Sequence, residues 1–251
     1  MSALRVAAAA LAVALPGCGG STDAESGELT VSAASSLTEA FDDYGATLAP
    51  TDVQLSFAGS DELAAQIRQG AEPDVFAAAN TALPDALFDE GLVDEPTVFA
   101  RNSLVLAVPA AAEIESIEDL TEAGLDIVIG AEAVPVGSYT LDVFDRLDAS
   151  GREAILANVR SEESDVKGIV GKLTQGAADA GFVYRSDVVA TGSELRAIEL
   201  ARELQPDVAY GIAVVRSSDD PEGAQRFIDG LLEGEGARVL ESSGFEPPPD
   251  E

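Results

Sequence analysis

The chain contains no histidine, no tryptophan and one cysteine, and its 14 lysine and arginine residues face 46 aspartate and glutamate residues in a total of 251. Without histidine, neither a Ser-His-Asp triad nor a metal site with imidazole ligands is available. The single cysteine, Cys18, excludes a disulfide framework and a CxxC redox site. We therefore predict that the protein is not an enzyme and holds no cofactor.

The shortage of basic residues also limits the partners of the protein. Its formal net charge is −32, whereas nucleic acids and anionic lipids are bound by clustered lysine and arginine. The only lysines are Lys167 and Lys172. Acidic stretches such as 113–122 lack the spacing of a calcium-binding loop and are predicted to be solvated surface. Nucleic acid and a charged membrane surface are excluded as partners.

No apolar run near the N-terminus is long enough to cross a bilayer. Arg5 precedes ten apolar residues, Val6 to Leu15, which is typical of an export signal. The residues that follow, Leu15-Pro16-Gly17-Cys18, resemble a lipoprotein cleavage box, although a proline is unusual there. We predict a signal peptide at 1–17, a lipidated Cys18 and a flexible tether at 18–28, which places the protein outside the cytoplasm on a lipid anchor. A chance cysteine beside an ordinary signal peptide is the alternative.

The remaining chain is rich in apolar residues, and strand-like and helix-like segments alternate along it, which predicts an α/β fold. Strands are predicted at 29–33, 53–57, 74–78, 103–108, 126–129, 180–184, 195–200 and 209–215. Helices are predicted at 37–48, 63–70, 83–90, 117–120, 139–147, 152–159, 166–175 and 221–232.

Two long apolar segments, 101–109 and 208–215, lie about a hundred residues apart and suggest that the chain leaves one lobe and later returns to it. We predict a first lobe at 29–104 and 213–246, a second lobe at 105–212, and a disordered tail at 247–251. A cleft between two such lobes is a common place for a ligand.

Two serines stand where a predicted strand gives way to a helix, Ser36 after 29–33 and Ser60 after 53–57. A helix start exposes backbone N–H groups, and a serine there adds a hydroxyl, so each junction suits an anion. The plain alternative is that each serine only caps its helix. For Ser36 that alternative is specific, because Glu39 completes the spacing of a capping box.

Three further junctions offer donors. The loop at 130–139 offers only backbone N–H groups at Val136, because this side chain has no donor. A helix begins at Val166, and Tyr184 ends an apolar strand where its hydroxyl is able to point into a cleft. A tyrosine in that position is more often core or rim packing, and that alternative stays open.

From Leu29 to Phe245 the order and the sequences of these segments resemble those of the molybdate-binding proteins of bacterial ABC importers, a family of type II periplasmic binding proteins. The matching segments are VSAASSL (31–37), SFAGS (56–60), LAAQI (63–67), GAEPDVF (70–76), NSLV (102–105), VPVGSY (134–139), DVK (165–167), GFVY (181–184) and GF (244–245).

The resemblance implies a two-lobed type II fold, each lobe a mixed sheet flanked by helices, with the ligand in the cleft. It also implies a tetrahedral oxyanion, molybdate or tungstate, held by neutral donors only. The donors would be the hydroxyl and N–H of Ser36 and Ser60, the N–H of Val136 and Val166, and the hydroxyl of Tyr184. Ser35 and Val136 replace alanines that are usual in the family, and we expect the acidic Asp61 to point away from the site.

The implied role is the substrate-binding component of an ABC importer, which is a monomer and delivers its anion to a membrane permease. A site made only of donors suits a fully deprotonated oxyanion and clashes with one that carries a proton. The alternatives are a receptor for sulfate or phosphate, a secreted hydrolase, and a lipoprotein that binds another protein. The hydrolase is disfavoured because the chain has no histidine.

Overall fold

The computed structural model describes residues 28–248. The predicted signal peptide and Cys18 lie outside the described residues, as do most of the predicted tether and residues 249–251 of the predicted tail. Glu28, which was assigned to the tether, is instead the first residue of a strand and pairs with Asp52. None of the helices within 28–248 combines the length and the apolar composition that crossing a membrane requires.

The described chain contains ten strands and nine α-helices. The strands are β1 (Glu28–Ala34), β2 (Asp52–Ala58), β3 (Val75–Ala78), β4 (Thr97–Asn102), β5 (Leu104–Pro109), β6 (Ile127–Gly130), β7 (Val159–Glu163), β8 (Ala180–Tyr184), β9 (Leu195–Glu199) and β10 (Val208–Val214). The helices are α1 (Thr38–Thr47), α2 (Ser60–Arg68), α3 (Ala82–Asp89), α4 (Pro135–Asp145), α5 (Ala149–Asn158), α6 (Val166–Thr174), α7 (Arg185–Ala190), α8 (Pro221–Glu233) and α9 (Glu235–Ser242), with short 3-10 helices at Ser35–Leu37 and Glu118–Thr121.

The strands form two mixed sheets, as predicted, and each sheet has five strands. The first has the order β2-β1-β3-β10-β4, in which β10 runs antiparallel to both neighbours. The second has the order β7-β6-β8-β5-β9, in which β5 runs antiparallel to both neighbours. We call the part of the chain around each sheet the first and the second lobe. In both, helices follow the parallel strands, so the helix starts lie at the carboxyl ends of those strands.

The chain crosses between the lobes at Ser103 and again between β9 and β10. The predicted return to the first lobe at residue 213 is wrong, because β10 pairs with β4 from Val208 onward and so lies wholly in the first sheet. The apolar run at 101–109 likewise belongs to two strands in different sheets. Strands buried on both faces are apolar throughout, so their sequence does not mark the point where the chain changes sheet.

Some elements were not predicted or begin elsewhere. The strands β4 and β7 and the helices α7 and α9 were missed, and β7 (VRSEE) is a polar edge strand without an apolar run. The helix predicted from Tyr139 begins at Pro135, where proline suits the first turn because its missing N–H has no intrahelical partner there. Val136 therefore lies in the first turn of α4 and not in a loop.

Candidate functional site

One cavity lies between the lobes where several helix starts face each other. Its lining includes all five residues predicted as ligands, Ser36, Ser60, Val136, Val166 and Tyr184, and all five are buried. The remaining lining residues are Ala34, Ser35, Ala58, Gly59, Ala79, Val134, Pro135 and Asp165. The structure thus brings the five residues together, while their role as ligands stays a prediction.

Ser60 begins α2, and its hydroxyl is already used as an acceptor. The N–H of Ala79, which follows β3, donates to Ser60 Oγ at 3.1 Å. A backbone N–H only donates, so the single hydroxyl proton of Ser60 remains for another acceptor. No side chain within 28–248 caps α2, which leaves the N–H groups of its first turn available as well.

Ser36 lies in the 3-10 helix that joins β1 to α1. Its Oγ is 3.0 Å from the hydroxyl oxygen of Tyr210 in β10, and both side chains are buried. The capping box that Ser36 and Glu39 would form is absent from the described structure: Leu37 is the N-cap of α1, and Glu39 Oε2 accepts a hydrogen bond from Lys167 Nζ at 2.7 Å. The reading of Ser36 as a plain helix cap is therefore wrong.

Tyr184 is 1% exposed, and its hydroxyl has no hydrogen-bond partner within 28–248. Burial, together with the neighbouring Tyr210, raises the pKa of Tyr184 well above its usual value, so the group stays a neutral donor. Leaving a buried hydroxyl unpaired costs about 1–3 kcal/mol. A buried, unpartnered donor on a residue that lines the cavity suits a ligand with acceptor oxygens.

Val136 and Val166 contribute backbone donors from the second lobe. They are the second residue of α4 and the first residue of α6, where an N–H has no intrahelical acceptor. The carboxylate of Asp165 caps α6 by accepting from the N–H of Gly168 at 3.0 Å. Asp61 is not among the residues lining the cavity, although its Oδ1 is buried without a hydrogen-bond partner within 28–248 and lies beside the lining residue Gly59.

Lys167, a basic residue next to the site, forms ion pairs with two acidic residues. Lys167 follows Val166 in α6, and its Nζ lies 2.7 Å from Glu39 Oε2 of the first lobe and 3.5 Å from Asp187 Oδ1. Burial raises the pKa of Asp187 to about 7, although the nearby ammonium of Lys167 opposes this. The two lysine contacts tie together the segments that carry Ser36, Val166 and Tyr184.

Sequence reasoning missed Tyr210, Asn102 and the Lys167 contacts. Tyr210 and Ser36 are 174 residues apart, and no local sequence pattern around either residue predicts the hydrogen bond between them. The match of NSLV at 102–105 marked Asn102 as part of a shared segment but gave it no role.

The arrangement has the chemistry of an anion receptor. Its donors are hydroxyl and backbone N–H groups, and within 28–248 neither Ser36 nor Ser60 has a basic side chain as hydrogen-bond partner. The described residues also contain no cluster of three acidic or cysteine side chains able to hold a metal ion. Converging neutral donors stabilise an anion that offers only acceptors.

Comparisons with known proteins identify the family of the chain. The model of the family "Bacterial extracellular solute-binding protein" matches residues 29–246. The molybdate-binding protein ModA of Mycobacterium tuberculosis is 35% identical over 255 residues, covering 96% of this chain and 95% of the relative. ModA of Escherichia coli is 31% identical over 252 residues and covers 95% of each chain.

A solved structure gives the same answer for the fold. The periplasmic molybdate-binding protein of Azotobacter vinelandii superposes with a TM-score of 0.79 at 18% identity, over 88% of this chain and all of the other. The predicted two-lobed α/β fold of periplasmic binding proteins is confirmed. The chain therefore belongs to the family of bacterial extracellular solute-binding proteins, which are transport proteins and not enzymes.

Proposed function

We propose that this protein is the extracytoplasmic substrate-binding component of an ABC importer and that it captures molybdate. The observation that carries the proposal is a single cavity surrounded by Ser36, Ser60, Val136, Val166 and Tyr184, in which the buried hydroxyl of Tyr184 has no partner among residues 28–248. Two curated relatives that cover nearly the whole chain are named molybdate-binding proteins, which supports this ligand class.

An acidic protein is able to hold a dianion in this way because the repelling surface charges lie far from the anion, whereas the attracting donors lie at hydrogen-bond distance. At about 0.1 M salt, charges more than about 10 Å apart are largely screened in solvent. Donors at hydrogen-bond distance in a buried cavity are not screened in this way. The starts of α2, α4 and α6 also present the positive ends of their dipoles to the cavity.

We expect the site to prefer molybdate and tungstate to phosphate and sulfate for two reasons. Phosphate carries a proton near neutral pH, and that proton would face a donor in a site made of donors. Sulfate carries no proton, but its bonds are shorter, so a cavity sized for molybdate would hold it less tightly. A receptor for sulfate or phosphate remains the second candidate, because the fold itself is shared among receptors for different solutes.

The remaining parts of the proposal concern the assembly. A closed, loaded monomer would dock on a membrane permease, and a lipid on Cys18 would keep it at the membrane. Substituting Cys18 with serine should release the protein from the membrane fraction into the soluble extracytoplasmic fraction. Retention of this variant at the membrane would contradict lipidation at Cys18.

Calorimetric titration of the mature protein with molybdate, tungstate, sulfate and phosphate tests the function. Molybdate should bind most tightly or equally with tungstate, and an excess of 100 times the dissociation constant should stabilise the fold by about 2.7 kcal/mol. Stabilisation by phosphate alone would favour the second candidate, and turnover of a generic ester would favour a hydrolase.

Serine variants test the assigned donors. Ser36→Ala and Ser60→Ala should each weaken molybdate binding by about 1–3 kcal/mol, the cost of losing a donor to a buried charged group. Ser60→Ala should also lower the melting temperature, since the Ala79 N–H loses its acceptor. Ser242→Ala is the matched control, because Ser242 is exposed and bonds only within α9. An unchanged affinity in either site variant removes that serine from the site.

A further inference from the structure

A chain of buried hydrogen bonds leads away from Ser36 into the region where the lobes join. The N–H of Ser103 donates to Asn102 Oδ1 at 2.9 Å, which fixes the orientation of this amide. Asn102 Nδ2 then donates to Ser186 Oγ at 2.9 Å, and the Asn102 side chain is close enough to Tyr210 to lower the pKa of its hydroxyl against the larger rise caused by burial. Tyr210 Oη in turn lies 3.0 Å from Ser36 Oγ.

The bond between Tyr210 and Ser36 is able to run in either direction, and an anion in the cavity decides between them. Ser36 Oγ is the one hydrogen-bond partner of the buried Tyr210 hydroxyl within 28–248. If Ser36 donated to Tyr210, the proton of Tyr210 would be buried without an acceptor and Ser36 would have no proton for the anion. When Tyr210 donates to Ser36 Oγ, both protons are used, and that of Ser36 is given to the cavity.

The hydroxyl groups of Ser60 and Tyr184 also act as donors toward the cavity, for different reasons. Ser60 Oγ accepts from the N–H of Ala79 and keeps its proton for the cavity. Tyr184 lacks any partner within 28–248, and its raised pKa keeps it protonated. Of the three, Ser36 is the one whose polarity depends on another side chain.

We propose that Tyr210 is a positioning residue that holds Ser36 as a donor and thereby makes the site reject oxyanions that carry a proton. This inference rests on the proposed function and deepens it. Without the Tyr210 hydroxyl, the Ser36 hydroxyl is free to rotate, and its lone pair is able to accept the proton of a hydrogen phosphate ion. The site then no longer rejects an oxyanion that carries a proton, although it still selects oxyanions by size.

Sulfate and hydrogen phosphate at pH 8 provide the test, because the two dianions have nearly the same size and differ by one proton. Each ion is titrated as a competitor of molybdate against the parent protein and against Tyr210→Phe. We expect Tyr210→Phe to bind molybdate about tenfold more weakly, and the preference for sulfate over phosphate to fall at least tenfold. These changes are about 1.4 kcal/mol each.

Asn102→Asp provides a second and stronger perturbation. An aspartate accepts the Tyr210 proton, so Tyr210 accepts from Ser36 and the proton of Ser36 is turned away from the cavity. The preference for sulfate over phosphate should fall further than in Tyr210→Phe. The added negative charge acts equally on two dianions and therefore cancels in this ratio.

Tyr44→Phe is the matched control. Tyr44 is a buried tyrosine of the same lobe, and its hydroxyl donates to the carbonyl of Phe227 at 3.1 Å, away from the cavity lining. It should lose similar stability and keep both the affinity for molybdate and the preference between the two ions. This control separates loss of a buried hydroxyl from loss of the specific contact to Ser36.

The outcomes distinguish the inference from the function on which it rests. If Tyr210→Phe keeps the parent preference, or if phosphate still fails to displace molybdate from it, the inference is overturned and the proposed function stands. The same holds if Tyr44→Phe changes the preference as much as Tyr210→Phe does. A parent protein that binds no molybdate overturns both.

Discussion

Asp187 is a buried acidic residue beside the site that is not among the residues lining the cavity. Its Oδ2 accepts from the N–H of Tyr184 at 3.2 Å, and its Oδ1 lies 3.5 Å from Lys167 Nζ. Burial raises its pKa to about 7, Lys167 and the Tyr184 N–H lower it, and Glu39 raises it. Because the native pKa exceeds that of the unfolded chain, the folded state binds a proton that the unfolded state releases.

The pH dependence of stability tests this position. The contribution of Asp187 is fully present below about pH 4 and is lost as pH rises to about 7, so the free energy of unfolding should fall over this window by roughly 1–4 kcal/mol from this group. Asp187→Asn should remove that slope, which urea titrations at several pH values would measure.

Asp119, an exposed acid whose pKa is lowered in the folded protein, is the control for Asp187. The N–H groups of Glu115 and Ser116 bond to Asp119 and lower its pKa, so its contribution is present above about pH 4 and is lost on acidification. Asp119→Asn should therefore change the slope in the opposite direction. Identical pH profiles for the parent and Asp187→Asn would contradict the account of Asp187.

At the scale of elements, the junction of β2 with α2 lies against the segment that leads into α6. A Cβ atom built on Gly59 would lie 2.6 Å from the carbonyl oxygen of Ser164, which belongs to the second lobe. Only a residue without a side chain lets these two segments approach so closely. The contact brings the starts of α2 and α6, and hence Ser60 and Val166, to opposite sides of one cavity.

Substitution of Gly59 tests whether this approach is needed for binding. Gly59→Ala should hold the lobes apart and weaken molybdate binding at least tenfold, with a larger radius of gyration in the presence of ligand by X-ray scattering. Gly45→Ala is the control, because a Cβ at Gly45 in α1 meets its nearest atom at 3.6 Å, an ordinary contact. If Gly59→Ala binds and compacts like the parent, close packing at this junction is not required.

The elements also show where sequence reasoning succeeds and where it stops. Strands that end in a serine and continue into a helix were located well, because both halves of the pattern are local. β7 was missed because an exposed edge strand has no apolar run. The lobe boundary at Val208 was missed because the apolar sequence of a buried strand does not indicate to which of the two sheets it belongs. Tyr210 was missed because its partner Ser36 lies far away in the chain.

At the scale of the whole molecule, the net charge of −32 acts against the approach of a dianion. This repulsion is long-ranged and therefore depends on salt, whereas the contacts in the cavity are short and buried. The screening length shortens from about 30 Å at 0.01 M to about 10 Å at 0.1 M ionic strength. Salt should thus change how fast the anion arrives more than how firmly it is held.

Stopped-flow measurements at increasing sodium chloride test this separation. We expect the association rate of molybdate to rise several-fold between low and moderate salt, while the dissociation rate changes little. Sucrose at equal osmolality is the control and should leave both rates unchanged apart from viscosity. A rate that falls with salt would mean that a local positive field, for which Lys167 is the candidate, steers the anion instead.

The central claim is that neutral donors from both lobes converge on one oxyanion, and a crystal structure of the mature protein with molybdate tests it most directly. We predict one molybdate in the cavity, with the hydroxyls of Ser36, Ser60 and Tyr184 and the N–H groups of Val136 and Val166 at about 2.7–3.2 Å from its oxygens. A molybdate bound elsewhere, or one in this cavity that leaves the Tyr184 hydroxyl without a partner, would contradict the account.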